Sequence, residues 1–255
     1  MEFAYNGKFY HGWQIQPNAI TVQEMMNKAF SALLGEEVNL IGAGRTDTGV
    51  HAAHFVAHMD IESPVPDTRD LVFKANRFLN SGIRIDKIKE VAVDLHARFS
   101  AVSRTYHYII SRSVAPFMED FSWNISRDMD FEKIVQATEL LKNFKDFTSF
   151  ARLHAENKTN DCQIMSTEWK QQGDLWIFSI KADRFLRNMV RAIVGTLVDV
   201  GTGKISPEEF QNIINRKDRS AAGQSAPARG LFLTHVEYPE NGFQTTPKSP
   251  FYRFF

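Results

Sequence analysis

Cysteine is almost absent from this chain: Cys162 is the single one in 255 residues. A disulfide within the chain is therefore impossible, as is a CxxC metal or redox site, and a lone free thiol fits a cytoplasmic compartment. Net charge is absent too, with 30 Lys+Arg set against 30 Asp+Glu. That balance argues against a tail that coats polyanions by bulk charge. It leaves nucleic acid open as a partner, because a local basic stripe is enough. Long hydrophobic runs are missing as well. Nowhere do about 18 apolar residues follow one another, so no membrane-spanning helix is expected. The opening Met1-Glu2-Phe3 has an acid and no basic segment, and Asn6, Gly7 and Lys8 break the apolar run behind it. No secretory signal is expected. No low-complexity linker divides the chain.

What is present is an ordinary globular composition, 43% hydrophobic and 24% charged. A chain of this length buries about 75% of its unfolded surface, so it needs neither a disulfide nor a structural metal to fold. Helix and strand patterns alternate throughout. Thr21-Val22-Gln23-Glu24 reads as a capping box that opens a helix to about Leu34, closed near Gly35. From His51 to Ile61 the pattern alternates as a strand, with His51, Ala53 and Phe55 on one face and His54, Val56 and His58 on the other. Asp67 caps a helix over 68–80 with Leu71, Phe78 and Leu79 inward, and Ile83 to Val93 is strand-like. The second half repeats this order. A strand runs from Arg104 to Ile110, Asp130 caps a helix, and strands over Gln163–Gln171 and Leu175–Ala182 flank a turn at Gly173-Asp174. A helix follows from Arg187 to about Asp199; Ser206-Pro207-Glu208-Glu209 starts another, and Leu231 to Tyr238 is a final strand. The expected fold is α+β: two packed subdomains, residues 1–100 and 101–255, each an antiparallel sheet with helices on one side. The tail from Pro247 to Phe255 docks on the body or on a partner chain, and the sequence does not choose between them.

The most unusual stretch is Gly42-Ala43-Gly44-Arg45-Thr46-Asp47-Thr48-Gly49-Val50-His51-Ala52. Its glycines let the backbone turn sharply and approach a ligand. In an extended chain residues i and i+2 point the same way, which puts Arg45 beside Asp47 to hold it ionised. A dinucleotide GxGxxG is excluded, because Asp47 occupies the place of the third glycine, and no Lys follows Gly49 as a phosphate loop requires. Asp47-Thr48-Gly49 matches the triplet of aspartic proteases, which need two such carboxylates. One copy would serve only in a dimer. A plain hairpin turn capped by Asp47 remains open. His51, His54 and His58 cannot converge on a metal, since His51 lies on the other strand face. They read as groups on the sheet surface or as hydrogen bonders to a ligand.

Several motifs, taken together, resemble the tRNA pseudouridine synthase A family. They are Gly44-Arg45-Thr46-Asp47-Thr48-Gly49-Val50-His51-Ala52; Phe9-Tyr10-His11-Gly12-Trp13-Gln14-Ile15-Gln16-Pro17-Asn18 with Thr21-Val22-Gln23; and Arg104-Thr105-Tyr106-His107-Tyr108. Lys145-Asp146-Phe147-Thr148-Ser149-Phe150, Phe185-Leu186-Arg187-Asn188-Met189-Val190-Arg191 with Gly195-Thr196, and Ala226-Pro227-Ala228-Arg229-Gly230-Leu231-Phe232-Leu233 follow in family order. The resemblance implies the pseudouridine synthase fold with ferredoxin-like halves, and conversion of uridine to pseudouridine without a cofactor or metal. It implies tRNA as substrate, at positions 38, 39 and 40 of the anticodon stem-loop, and a homodimer. Asp47 would be the catalytic carboxylate. Tyr106 would stack on the target base and Leu231 pack against it. Arg191 would pair with Asp47, and Arg45 would help to displace the target nucleotide. A base in a stem must be flipped at a cost of a few kcal/mol, which stacking worth about 1–3 kcal/mol per base offsets. The basic stretches Arg98, Arg104, Arg112 and Lys181, Arg184, Arg187, Arg191 would meet phosphates. Departures from the family are Asn188 and Lys145, each where a His is common, and His54-Phe55 where Gly-Gln is common. Cys162 reads as packing. A catalytically silent RNA-binding protein on the same fold is the alternative from another class.

Overall fold

The computed structural model describes residues 1–62, 64–65, 67–152 and 158–239. The expected docking tail, 247–255, lies outside the described residues. Two compact units divide the chain: one is built from Met1–Ser103 and the segment from Phe232, the other from Arg104–Leu231.

The first unit contains β1 (Glu2–Tyr5), α1 (Val22–Leu34), β2 (Ile41–Gly42), β3 (His51–His58), α2 (Thr68–Phe78) and β4 (Ile83–Lys87). Local chemistry sets the helix ends. Thr21 Oγ1 accepts from the Glu24 amide at 3.3 Å, and Gly35 closes α1 in the left-handed region at φ 73°. The Glu24 carboxylate, expected to reach back to Thr21, binds Lys28 at 2.6 Å one turn on. Asp67 Oδ1 accepts from the amides of Arg69 (2.8 Å) and Asp70 (3.2 Å) to start α2. Leu71 and Ala75, four residues apart, form the buried stripe of that helix, and Leu79, the extended residue that ends it, is buried too. Phe78, the last residue of α2, was expected inward but is 52% exposed.

β1 runs antiparallel between β4 and β3. The strand expected to Val93 stops at Lys87, because Lys87 pairs with Glu2, the first residue of β1, and the ladder has no further partner. Phe3, Trp13 and Phe55 pack together, with Trp13 stacked on Phe55 at 4.6 Å, beside the fully buried Met26, Ala29 and Phe30 of α1. His51 and His54 are 2% exposed, so they are core groups and not groups on the sheet surface. Alternation along the strand assigns faces but does not say what covers them.

The second unit contains β5 (from Ser103–Ser111), β6 (Trp123–Asn124), α3 (Phe131–Leu140), β7 (Ile164–Gln172), β8 (Leu175–Ala182), α4 (Met189–Gly201) and α5 (Pro207–Arg216). β5 and β7 flank β8 in antiparallel register, and Gly173 turns the β7–β8 hairpin at φ 57°. Apolar on nearly every side, α4 is buried along almost its whole length, with α3 and α5 packed against it. It begins at Met189 and not at Arg187, because Asn188 sits in the left-handed region at φ 68°. Ser206 Oγ accepts from the Glu209 amide at 3.1 Å and Pro207 opens α5, as the sequence predicts. The chain then returns to the first unit as β9 (Leu231–Glu237), which pairs parallel with β3. Parallel neighbours need a long crossover, and here the whole second unit lies between them. Among the described residues no helix is long and apolar enough to cross a membrane.

His107 on β5 is a buried ionisable group outside every expected role. Burial, with a smaller push from Lys170, lowers it to about 4. Above the ordinary value near 6.5 both folded and unfolded chains hold it neutral. Between there and about 4 the unfolded chain takes up a proton that the native state refuses, so stability falls with pH, by up to about 3 kcal/mol. Urea unfolding at a series of pH values should show His107→Leu removing this part of the acid sensitivity; an unchanged pH profile would contradict it.

Candidate active site

The loop that carries Asp47 leaves β2 and enters β3, and its backbone is held at both ends and in the middle. The Ala43 amide donates to Val56 O at 2.8 Å. The Val50 amide returns to Asp47 O at 3.1 Å, closing a turn whose third residue, Gly49, has φ 79°, as a type II turn demands. Three further bonds come from the N-terminal segment. Gly49 N–H donates to Tyr10 O (3.3 Å), Trp13 N–H donates to Thr46 O (3.4 Å), and the Tyr5 hydroxyl bonds Thr46 Oγ1 (2.8 Å). Gly12 makes this approach feasible: at φ 84°, a Cβ there would stand 2.3 Å from Thr46 O. The Asp47 carbonyl thus closes a turn within this stretch. Asp47 is half-buried and Arg45 exposed.

The three strand histidines each have a separate partner. His51 Nδ1 accepts from the Gly7 amide at 3.0 Å and its ring stacks on Phe232 at 4.6 Å. His54 Nε2 meets Glu2 Oε2 at 3.1 Å. His58 Nδ1 accepts from the Ala97 amide at 3.1 Å, and burial followed by the nearby His96 lowers its pKa. Among the described residues no cluster of three or more His, Cys, Asp or Glu is placed to hold a metal.

Tyr106, Arg191 and Leu231 belong to the second unit, whereas Arg45 and Asp47 belong to the first. Tyr106 is half-buried on β5 and meets Phe185 edge-on at 5.1 Å. Arg191, one turn into α4, clasps Ala226 twice: its Nε donates to Ala226 O at 2.7 Å, and the Ala226 amide donates to Arg191 O at 2.9 Å. That clasp fixes the segment leading to the buried Leu231. Asn188 Nδ2 and Arg219 Nη2 hold the same segment through Ser225 Oγ, at 2.6 and 3.0 Å. The Tyr108 hydroxyl donates to Pro227 O at 2.9 Å; burial raises its pKa against the pull of Arg191 and Arg229. A depression of about 340 Å³ on the first unit, lined by Ile15, Asn18, Ile20 and Glu24 among others, contains none of the expected site residues.

Comparison with known proteins decides the family. A family model described as tRNA pseudouridine synthase matches residues 141–239. A tRNA pseudouridine synthase A of Bacteroides fragilis is 49% identical over 94% of this chain and 96% of its own. One from Parabacteroides distasonis is 48% identical over 94% and 95%, and one from Acetivibrio thermocellus 40% over 92% and 96%. The chain belongs to the tRNA pseudouridine synthase A family. Membership makes it an isomerase that converts uridine to pseudouridine in tRNA.

Two features that could be mistaken for chemistry in this tRNA pseudouridine synthase are structural. Asp146 Oδ1 accepts from the Thr148 amide and hydroxyl (3.0 and 2.6 Å), and its Oδ2 meets Lys217 at 2.9 Å. Burial raises its pKa, but these hydrogen bonds outweigh it and the net shift is downward. Cys162 is buried and pushed up to about 12 by desolvation, so it is no nucleophile at neutral pH. The residues that the sequence reading passed over are those that hold backbone: Tyr10, Gly12, Gly195 and Ala226. All four lie inside the quoted family motifs, which was the available signal.

Gly195 gives a direct test. A Cβ there would lie 1.8 Å from Gln224 O, so Gly195→Ala must push the 223–226 segment off α4. A loss of about 2 kcal/mol or more is expected in chemical denaturation; a change within about 0.5 kcal/mol would mean that the segment is not held there.

Proposed function

We propose that the protein isomerises uridines 38, 39 and 40 of the tRNA anticodon stem-loop, with the target base flipped out and Asp47 as the essential carboxylate. The observation that carries this reading is the backbone fixation of the Asp47 loop at Thr46, Asp47 and Gly49. A group that must meet one atom of a flipped nucleotide needs such placement.

The chemistry suits this donor set. The C1′–N1 bond breaks, C1′–C5 forms, C5 gives up its proton and N1 gains one. Atoms and electrons balance within the substrate, so the reaction calls for no redox cofactor. Asp47 supplies the anionic oxygen that assists cleavage. Tyr106, held by Phe185, stacks on the base, and Leu231 packs against it. Arg191 keeps Asp47 charged, and the exposed Arg45 helps to displace the nucleotide. Action at three neighbouring positions fits recognition of RNA shape and backbone rather than base sequence. The proposal includes a homodimer working in the cytoplasm, as the family resemblance implies.

The test is incubation with unmodified tRNA followed by mapping of pseudouridine. Wild type should modify positions 38–40, and Asp47→Ala should give no product. Product at other positions would overturn the site of action, and product from Asp47→Ala would overturn the role of that carboxylate. For Tyr106→Phe, tRNA affinity should stay within about threefold while kcat falls more than about tenfold; loss of affinity with unchanged kcat would contradict its assignment.

A further inference from the structure

The basic stretches marked in the sequence do not stay whole in the fold. Arg112 Nη1 donates to the carbonyls of Ile125 (2.7 Å) and Arg127 (2.6 Å), and its guanidinium lies 4.9 Å over Trp176. Arg98 lies 5.6 Å over Phe99 in the first unit. Lys181 stands opposite Thr105, so alternation puts it on the sheet face away from Tyr106. Neither stretch marked in the sequence survives as a unit.

The second unit keeps Arg184 and Arg187 of the second stretch and adds cations from separate segments. Arg184 and Arg187 lie between β8 and α4. The Arg152 amide donates to Arg187 O at 3.1 Å, which brings residue 152 to the segment before α4. Arg184 Nη1 reaches Thr159 Oγ1 at 3.4 Å, beside Lys158. The Cys162 amide donates to Lys145 O at 2.8 Å. Lys145, Arg152, Lys158 and Arg187 are exposed. Of the acids described among them, Asp183 and Asp146 are engaged within the chain, and Asp161 is exposed. Asp183 Oδ1 accepts from the amides of Gln163 (2.8 Å) and Arg184 (2.7 Å), and Asp146 is held by Thr148 and Lys217.

We infer that Arg152, Arg184 and Arg187, with Lys145 and Lys158, form a binding surface for the tRNA phosphate backbone. The inference rests on the reading of the protein as a tRNA enzyme. Guanidinium forks suit phosphate oxygens, and a surface where, among the described residues, the exposed cations Lys145, Arg152, Lys158 and Arg187 outnumber the exposed acid Asp161 contacts backbone instead of base edges. It stands in the same unit as Arg191, a few residues before the helix that carries it, where RNA flanking the target nucleotide would need to be held.

The test measures tRNA affinity against salt, from about 50 to about 300 mM KCl, where each lost phosphate contact lowers the slope of log Kd on log salt by about 0.7–0.9. Arg152→Gln, Arg184→Gln and Arg187→Gln should each lower it by about that amount, and the triple variant by about 2–3, with KM rising more than kcat falls. Lys at the same three positions should restore the slope. The single variants, checked by circular dichroism, keep the test usable if the triple variant fails to fold. An unchanged slope overturns the inference, as does an acidic polypeptide that competes as well as tRNA. A wild type that forms pseudouridine while the variants keep its slope sinks this surface alone. A wild type that binds tRNA without product, with the slopes falling as expected, sinks the enzymatic reading and leaves the surface standing.

Discussion

The close approach of Gly12 to the Thr46 carbonyl is the contact on which the proposed chemistry depends. A Cβ at Gly12 would leave 2.3 Å to that oxygen, so only glycine lets the N-terminal segment lie against the Asp47 loop. With that approach in place, Trp13 and Tyr10 can each make a backbone hydrogen bond to the loop, and the Tyr5 hydroxyl can reach Thr46. A catalytic carboxylate misplaced by about 1 Å loses on the order of 100-fold in rate. The loop is therefore built from backbone bonds, which have little conformational freedom.

The second unit meets the same demand in a related way. Gly195 lets the Gln224 carbonyl approach α4, and Arg191 then clasps Ala226 through its side chain and its own carbonyl. Arg191 thus fixes the approach to Leu231 with its Nε. Tyr108, Asn188 and Arg219 add hydrogen bonds to the same segment. In both units, a glycine admits a neighbouring backbone and a polar group ties it down.

Signals that act within one turn of chain were legible in the sequence. Thr21, Asp67, Asp130 and Ser206 cap their helices because a cap needs only a side chain and an amide two or three residues away. Properties set by distant partners were not legible. Phe78 is exposed where α2 ends, although its spacing from Leu71 reads as inward. β4 is short because β1 runs out. His51 and His54 are core groups because Gly7, Glu2 and Phe232 cover them. The Asp47 loop stood out by its density of Gly, Arg and Asp, but the support from Gly12 spans 34 positions between residues 12 and 46 and has no local signature. Charge followed the same rule: zero net charge conceals cations collected from distant segments.

Single-turnover pseudouridine formation by Gly12→Ala, measured beside tRNA affinity, tests most directly the claim that this backbone contact places Asp47. With folding verified, the account predicts a rate at least about tenfold lower while Kd stays within about threefold, because geometry at the reacting group is lost and substrate contacts are kept. A wild-type rate in Gly12→Ala would contradict it.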